Sequence, residues 1–285
     1  MRVATIDLGT NSVRFDIYDV LDGRVHERLF REKLMVRLGE GVFIHHKLST
    51  QAARRTIQAL VHFRRVMDEF YVDETIAFAT SALRTAKDSG SFLRKIKSRT
   101  GIPIEIISGE QEARLIAEGI LAYEKGLGHT NILVDIGGGS TEVSFCSESE
   151  IFHAQSFDLG TARLQEIFLK SSPPPSQDSR GRSPVLELQN HVRQTLKSIP
   201  KKFRSRGHRK LIGSSGTIKV LSRILSDSPN KRSLGASLSD LKKLNLMMQV
   251  MTPQELIDLP GIESKRVDMI LAGSLLLQEI GRAHV

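Results

Sequence analysis

A glycine-rich segment in the middle of the chain constrains the fold most strongly. Residues 132–142 read Ile-Leu-Val-Asp-Ile-Gly-Gly-Gly-Ser-Thr-Glu. The apolar run predicts a buried strand. Three glycines at its end weaken a sheet, so their presence indicates that another group must approach the backbone there. Exposed amides, hydroxyls and carboxylates together suit a phosphate with its bound cation. The alternative is a plain β-hairpin with a glycine turn, because residues 141–146 also look like a strand.

A second copy of this pattern near the N-terminus favours phosphate binding. Residues 3–12 again run from an apolar strand to an aspartate, a glycine and hydroxyl side chains, and a further strand is expected at residues 13–20. Two such units far apart in the chain predict two similar halves that face each other across a cleft. Neither segment fits a Walker loop, which needs Gly-Lys-Ser/Thr at a helix start, or the dinucleotide-binding fingerprint.

The motifs together resemble one phosphatase family. Residues 7–12 and 135–142 are similar to the phosphate-binding hairpins of the acetate and sugar kinase/heat-shock chaperone/actin superfamily. The residue sequences of these two motifs resemble those of the exopolyphosphatase/guanosine pentaphosphate phosphohydrolase (Ppx/GppA) phosphatase family. Residues 79–84, 107–114 and 213–217 carry further matches, so the resemblance covers almost the whole chain. It implies an α/β fold of two actin-like (ribonuclease H-like) domains with mixed sheets flanking an interdomain cleft.

The domain boundaries and the cellular compartment follow as expectations. The resemblance implies an actin-like domain I at residues 1–122 and a domain II at residues 123–263, and we expect a C-terminal helix at 264–281 to pack on domain I. The 285 residues leave room for two cores. No apolar stretch approaches the roughly 18 residues that would cross a membrane, and the chain opens on a strand rather than a signal segment. We therefore expect a cytoplasmic protein without a membrane partner.

The resemblance also assigns roles to individual residues. Glu112 aligns with the proposed general base, and Arg84 and Glu142 are the other predicted catalytic residues. Mg²⁺, with Mn²⁺ as the alternative, would be held by Asp7, Asp135 and Glu142, since hard cations prefer oxygen ligands. The predicted phosphate-binding residues are Gly9, Thr10, Asn11, Ser12, Ser81, Gly137, Gly138, Gly139, Ser140, Thr141, Gly160, Gly213 and Gly216.

Structural explanations compete with two of these roles. Glu112 falls in the first turn of a predicted helix, where the helix dipole favours acidic residues, so capping alone would explain it. Arg84 has a guanidinium fork that matches two phosphate oxygens, but it could also be a surface arginine that opens a helix.

The charge distribution bears on the substrate. The net charge is +9, and residues 170–210 hold eleven Lys/Arg against two acidic residues. Such a tract would attract a long polyanion in a salt-dependent way, although a solvated loop explains it equally well. Nucleic acid is the weaker alternative, because the tract contains no run of interleaved aromatic residues to stack on bases.

The predicted function is hydrolysis of a phosphoanhydride. The substrate would be inorganic polyphosphate, which loses its terminal orthophosphate, and/or guanosine pentaphosphate, which loses its 5′-phosphate. Two alternatives stay open: a catalytically weak sensor of polyphosphate or the alarmone, and an ATP-dependent kinase-fold or actin-like protein. The sensor is kept because Asp88, Gln111 and Ser215 depart from the family pattern. A homodimer also stays an open alternative.

Overall fold

The computed structural model describes residues 1–124, 130–204, 210–226 and 237–284. The chain divides into two compact units, Met1–Ser108 and Gly109–Val285. Within the described ranges, no helix combines the length and the apolar character needed to span a membrane.

Unit 1 is built on a five-stranded mixed sheet. The strands are β1 (Arg2–Leu8), β2 (Ser12–Leu21), β3 (Arg24–Met35), β4 (Glu74–Ala79) and β5 (Glu105–Ile106), and the helices are α1 (Val42–His45), α2 (Thr50–Glu69), α3 (Ser81–Thr85) and α4 (Ser89–Thr100). The strand order in the sheet is β3-β2-β1-β4-β5, and β1 runs antiparallel to β2 and parallel to β4. Alternate strand residues such as Ile6 and Phe15 pack on the helices, and Phe15 stacks on Phe63 with ring centroids 4.5 Å apart.

Unit 2 contains a four-stranded mixed sheet, whose described strands are β6 (Asn131–Ile136), β7 (Thr141–Cys146), β8 (Ile151–Phe157) and β9 (Lys210–Gly213). Their order in the sheet is β8-β7-β6-β9. The described helices are α5 (Gly109–Tyr123), α6 (Thr161–Leu164), α7 (Pro184–Leu196), α8 (Lys201–Arg204), α9 (Gly216–Ile224), α10 (Leu238–Met248), α11 (Pro253–Ile257) and α12 (Ile270–His284), with a π-helical turn at Gln165–Leu169 and a 3₁₀ turn at Ser264–Met269.

The two faces of the unit 2 sheet pack differently, and this decides where the polar residues lie. Val134 and Phe145 belong to a large apolar core shared with α7, α9 and α12. Leu133 and Cys146, at alternate positions, pack instead with Ala117 of α5. Because side chains alternate along a strand, every second residue of β6 and β7 faces α5.

The division into units differs from the predicted domains in two places. Helix α5 packs on β7 and β8, so closely that a Cβ added at Gly109 would lie 2.7 Å from the Cβ of Ser156. The last helix, expected at 264–281 on domain I, packs on α7, α9 and α10 within unit 2. It also continues to His284, beyond the predicted end at residue 281. An apolar helix face shows in the sequence, but the partner that covers it does not.

The predicted fold class is confirmed in its main features. Each unit has a mixed sheet with helices packed against it, as two α/β domains of the actin-like type require. The predicted interdomain cleft stays a prediction.

Candidate functional site

The glycine turn between β6 and β7 is held from one side by the chain that leads into α6. The turn is closed by a 2.9 Å hydrogen bond from Gly137 N to Ser140 O. The N–H groups of Thr161 and Ala162 donate to the carbonyls of Gly137 (3.0 Å) and Gly138 (2.8 Å). Approach this close requires glycine at 160, because a Cβ there would overlap the backbone of Gly138 and Gly139.

This anchoring decides where the turn's amides point. In a trans peptide the carbonyl and the following N–H point in opposite directions. Since the carbonyls of Gly137 and Gly138 face the start of α6, the N–H groups of Gly138 and Gly139 face the other way. In the described part of the chain these two N–H groups have no protein acceptor. Successive amides aimed at one side form a concave anion-binding site.

The N-terminal hairpin has the same turn geometry. Gly9 N donates to Ser12 O at 3.0 Å, which closes the turn between β1 and β2. Gly39 N donates to Thr10 O (2.9 Å), and Val36 N donates to Asn11 O (3.0 Å). Because each peptide is trans, the N–H groups of Asn11 and Ser12 point away from the N–H groups that bind the carbonyls of Thr10 and Asn11. The two similar sequence segments therefore form two similar turns.

A row of polar side chains crosses the unit 2 sheet on the face covered by α5. The strand register places Asp135 opposite Glu142, and Glu142 opposite Ser156. The Ser156 hydroxyl donates to Glu142 Oε1 at 2.8 Å, and the Ser214 hydroxyl of the residue after β9 donates to Asp135. Two of the three predicted metal-binding carboxylates, Asp135 and Glu142, are thus neighbours. Each is oriented by a serine that was not among the predicted site residues.

Glu142 is the more deeply buried of the two acids in this row. It is only 3% exposed. Burial raises its pKa well above the ordinary value, and the charges of Glu112 and Asp135 raise it further, while hydrogen bonds from Ser140 and Ser156 act in the opposite direction. The Glu112 carboxylate, on the first turn of α5, therefore lies close enough to Glu142 for their charges to interact. Buried acids crowded together favour a bound cation or a shared proton.

These carboxylates fit a hydrated divalent cation better than an all-protein cage. Among the described residues, no group of three His, Cys, Asp or Glu side chains could hold a metal ion by itself. Mg²⁺ commonly binds through one or two carboxylates and completes its shell with water and phosphate oxygens. Asp135 and Glu142 would supply that donor set, and this assignment stays a prediction. The contribution of Asp7, in unit 1, stays a prediction.

Several other predicted site residues have structural partners. Arg84 is half-buried in α3 and donates from Nη1 to Ile107 O at 3.1 Å. The Thr141 hydroxyl donates to Leu159 O, so it supports the hairpin. Thr10, Ser81 and Ser140 are buried.

The glycines near β9 and two departures from the family pattern also have local explanations. A Cβ at Gly213 would meet the Ile218 side chain, and one at Gly216 would meet Arg266. Ser215 caps α9 by accepting from Ile218 N at 3.1 Å. Asp88 accepts from Leu48 N at 3.1 Å. Residues 205–209, near the C-terminal end of the basic tract, lie outside the described residues.

Comparison with known proteins places the chain in a class. The model of the Ppx/GppA phosphatase family matches residues 17–283, so the chain belongs to that family. Exopolyphosphatase 2 of Mycobacterium tuberculosis is 30% identical over 296 residues, which cover 99% of this chain and 90% of the relative. A bifunctional 3-dehydroquinate synthase/phosphatase of Fusobacterium nucleatum is 28% identical, and the match spans 42% of its length.

Solved structures agree with this assignment. An exopolyphosphatase from Cytophaga hutchinsonii superposes with a TM-score of 0.86 at 29% identity, covering 99% of this chain and 91% of that one. The Aquifex aeolicus member of the Ppx/GppA family gives a TM-score of 0.75 at 26% identity, covering 100% and 90%.

The packing at Gly160 predicts a sharp contrast between two glycine substitutions. Gly160→Ala should force the turn to shift and lower the free energy of unfolding by about 1–3 kcal/mol. Gly119→Ala, at an exposed helical position with nothing within 4 Å of the new Cβ, should be neutral or raise it by up to about 1 kcal/mol. Urea unfolding checks both, and equal stability of the two variants would contradict the close approach.

The raised pKa of Glu142 predicts a pH-dependent stability. The folded state binds this proton more tightly than the unfolded state, so stability should fall as pH rises from the ordinary value of 4.5 towards the raised pKa. Glutamine cannot ionise. In metal-free buffer Glu142→Gln should therefore gain stability relative to the wild type, by at most about 1.4 kcal/mol per pH unit. Urea titrations at several pH values measure this, and a pH-independent difference would exclude it.

Proposed function

We propose that the protein is a phosphoanhydride hydrolase that releases terminal orthophosphate from inorganic polyphosphate. One observation carries this proposal: the outward amides of the glycine turn lie at the end of the same hairpin that presents Asp135 and Glu142. The amides suit a phosphate, and the carboxylates suit the cation that accompanies it. Relatives named exopolyphosphatase, matched over nearly the whole chain, support polyphosphate as the substrate.

The chain's own residues would position the reactants and handle the proton. In phosphoryl transfer the protein contributes mainly geometry and electrostatic stabilisation. Amides of the glycine turn would bind the terminal phosphate, and Asp135 and Glu142 would hold Mg²⁺. When bound, the cation neutralises charge on the phosphate oxygens. Glu112, close enough to Glu142 for their charges to interact, would accept a proton from the attacking water.

The sensor alternative has lost part of its basis. Two of the three departures from the family pattern, Asp88 and Ser215, have local structural roles, since each accepts a backbone N–H. The third, Gln111, is exposed beside Glu112 and leaves that carboxylate in place. Guanosine pentaphosphate remains the second substrate to test, because the family description names GppA beside Ppx.

A substrate panel tests the proposed function. Phosphate release should be measured from long polyphosphate, tripolyphosphate, guanosine pentaphosphate and ATP, with Mg²⁺, with Mn²⁺ and with a chelator. We expect metal-dependent release that is fastest from polyphosphate. Release from guanosine pentaphosphate alone would replace the substrate, and tight binding without release would favour the sensor.

Two neighbouring glutamates on α5 provide a matched test of the general base. Glu112→Gln should lower kcat for the best substrate by about 10²–10⁴-fold, because it removes the proton acceptor, while substrate binding is retained. Glu110→Gln alters the same helical turn at an exposed side chain and should leave kcat within about twofold of the wild type. Steady-state kinetics measure both, and near-normal turnover by Glu112→Gln would remove it as the base.

A further inference from the structure

Arg163 contacts the glycine turn through both its backbone and its side chain. Its backbone N–H donates to Gly138 O at 3.1 Å, and its side-chain Nε donates to Gly139 O at 2.8 Å. The side chain is only 12% exposed. A guanidinium keeps its charge at any accessible pH, and a charged donor forms a stronger hydrogen bond than a neutral one. The turn is thus held by a permanent, largely buried cation.

The hydrogen bond from Arg163 Nε to Gly139 O affects the turn more than the other bonds because of the carbonyl that it holds. The carbonyls of Gly137 and Gly138 accept from backbone N–H groups, which no side-chain substitution removes. Gly139 O accepts from the Arg163 side chain. The peptide joining Gly139 to Ser140 therefore takes part of its orientation from one side chain, and its N–H points away from Arg163.

In unit 1 the corresponding turn is held differently. Thr10 O and Asn11 O accept from backbone N–H groups of residues 36, 37 and 39. The side-chain bond at Gly139 therefore makes the unit 2 turn sensitive to a single substitution.

The second bond of Arg163 offers a control. Nη2 donates to Asp158 Oδ1 at 2.8 Å, and the Asp158 side chain is 78% exposed. An ion pair with so exposed a partner contributes little. Removing the Asp158 charge therefore separates this ion pair from the bond to Gly139 O.

We propose that Arg163 is a positioning residue that fixes the Gly139 carbonyl and thereby aims the Ser140 amide at the bound phosphate. The phosphate half of this statement rests on the proposed function. The orientation of the turn does not, since it follows from the hydrogen bonds alone. Arg163 acts through the turn and needs no contact with the substrate.

Kinetics of three variants test this role. Arg163→Met should lower kcat/KM for the best substrate by about 10–100-fold, because small misplacements of binding groups are costly, and KM should rise because the turn holds phosphate before and during reaction. Arg163→Lys, which keeps one charged donor, should fall between Arg163→Met and the wild type. Asp158→Asn should remain within about twofold. A merely structural role would lower the active fraction and leave KM unchanged.

Hydrogen exchange provides a readout independent of activity. Peptides covering residues 137–141 should exchange faster in Arg163→Met than in Asp158→Asn, whereas peptides from α2 of unit 1 should be unchanged. Unchanged exchange in the turn together with a wild-type KM would overturn the proposal. So would an Asp158→Asn variant as impaired as Arg163→Met, because the ion pair would then be the important contact.

The two proposals fail in different ways. If the wild type releases no phosphate from any compound of the panel, the proposed function fails, while the exchange comparison still decides whether Arg163 holds the turn. If Arg163→Met does not fold, Arg163→Lys carries both measurements, with faster exchange and raised KM expected and wild-type values contradicting the proposal.

Discussion

The anchoring of the glycine turn's carbonyls is the interaction on which the unit 2 site depends. A flexible glycine segment would not by itself present amides to an anion, because its peptides could rotate freely. Here the start of α6 binds consecutive carbonyls, with Gly160 allowing the backbones to touch. Once the carbonyls are held, the trans geometry of each peptide directs its N–H to the opposite side. The flexible glycine segment therefore presents its N–H groups in fixed directions.

The acids beside the turn lower the stability of this part of the sheet rather than raise it. Glu142 is buried next to two other carboxylates, and both burial and their charges disfavour its ionised form. Hydrogen bonds from the Ser140 and Ser156 hydroxyls to Glu142 offset part of this cost. Perturbed acids of this kind cluster at functional sites, where a ligand or cation completes the charge balance. Buried carboxylates placed together in this way are expected at a binding site, and they would destabilise a purely structural core.

Local features of the site were predictable from sequence because each resides in a few consecutive residues. Within each hairpin, the aspartate, the glycines and the hydroxyl residues lie within ten residues of one another. In the structure each of these segments forms a closed turn. Ser156, Ser214 and Arg163 escaped prediction for a common reason. Each reaches the site through strand register or through a connection some 14 to 79 residues long, and an isolated serine or arginine carries no local signal of such a partner.

The same distinction explains the two differences in domain assignment. The sequence by itself determined the two strand–glycine–strand hairpins and the presence of Glu112 on a helical first turn, because turn chemistry and helix-start signals lie in neighbouring residues. The α/β class followed from the family resemblance of the motifs. Only the tertiary structure decided that α5 and α12 pack in unit 2, that Asp135 and Glu142 are cross-strand neighbours, and that Arg163 binds the turn. An apolar face requires burial but does not name its partner, and a hydrogen-bond donor does not name its acceptor until the chain is folded.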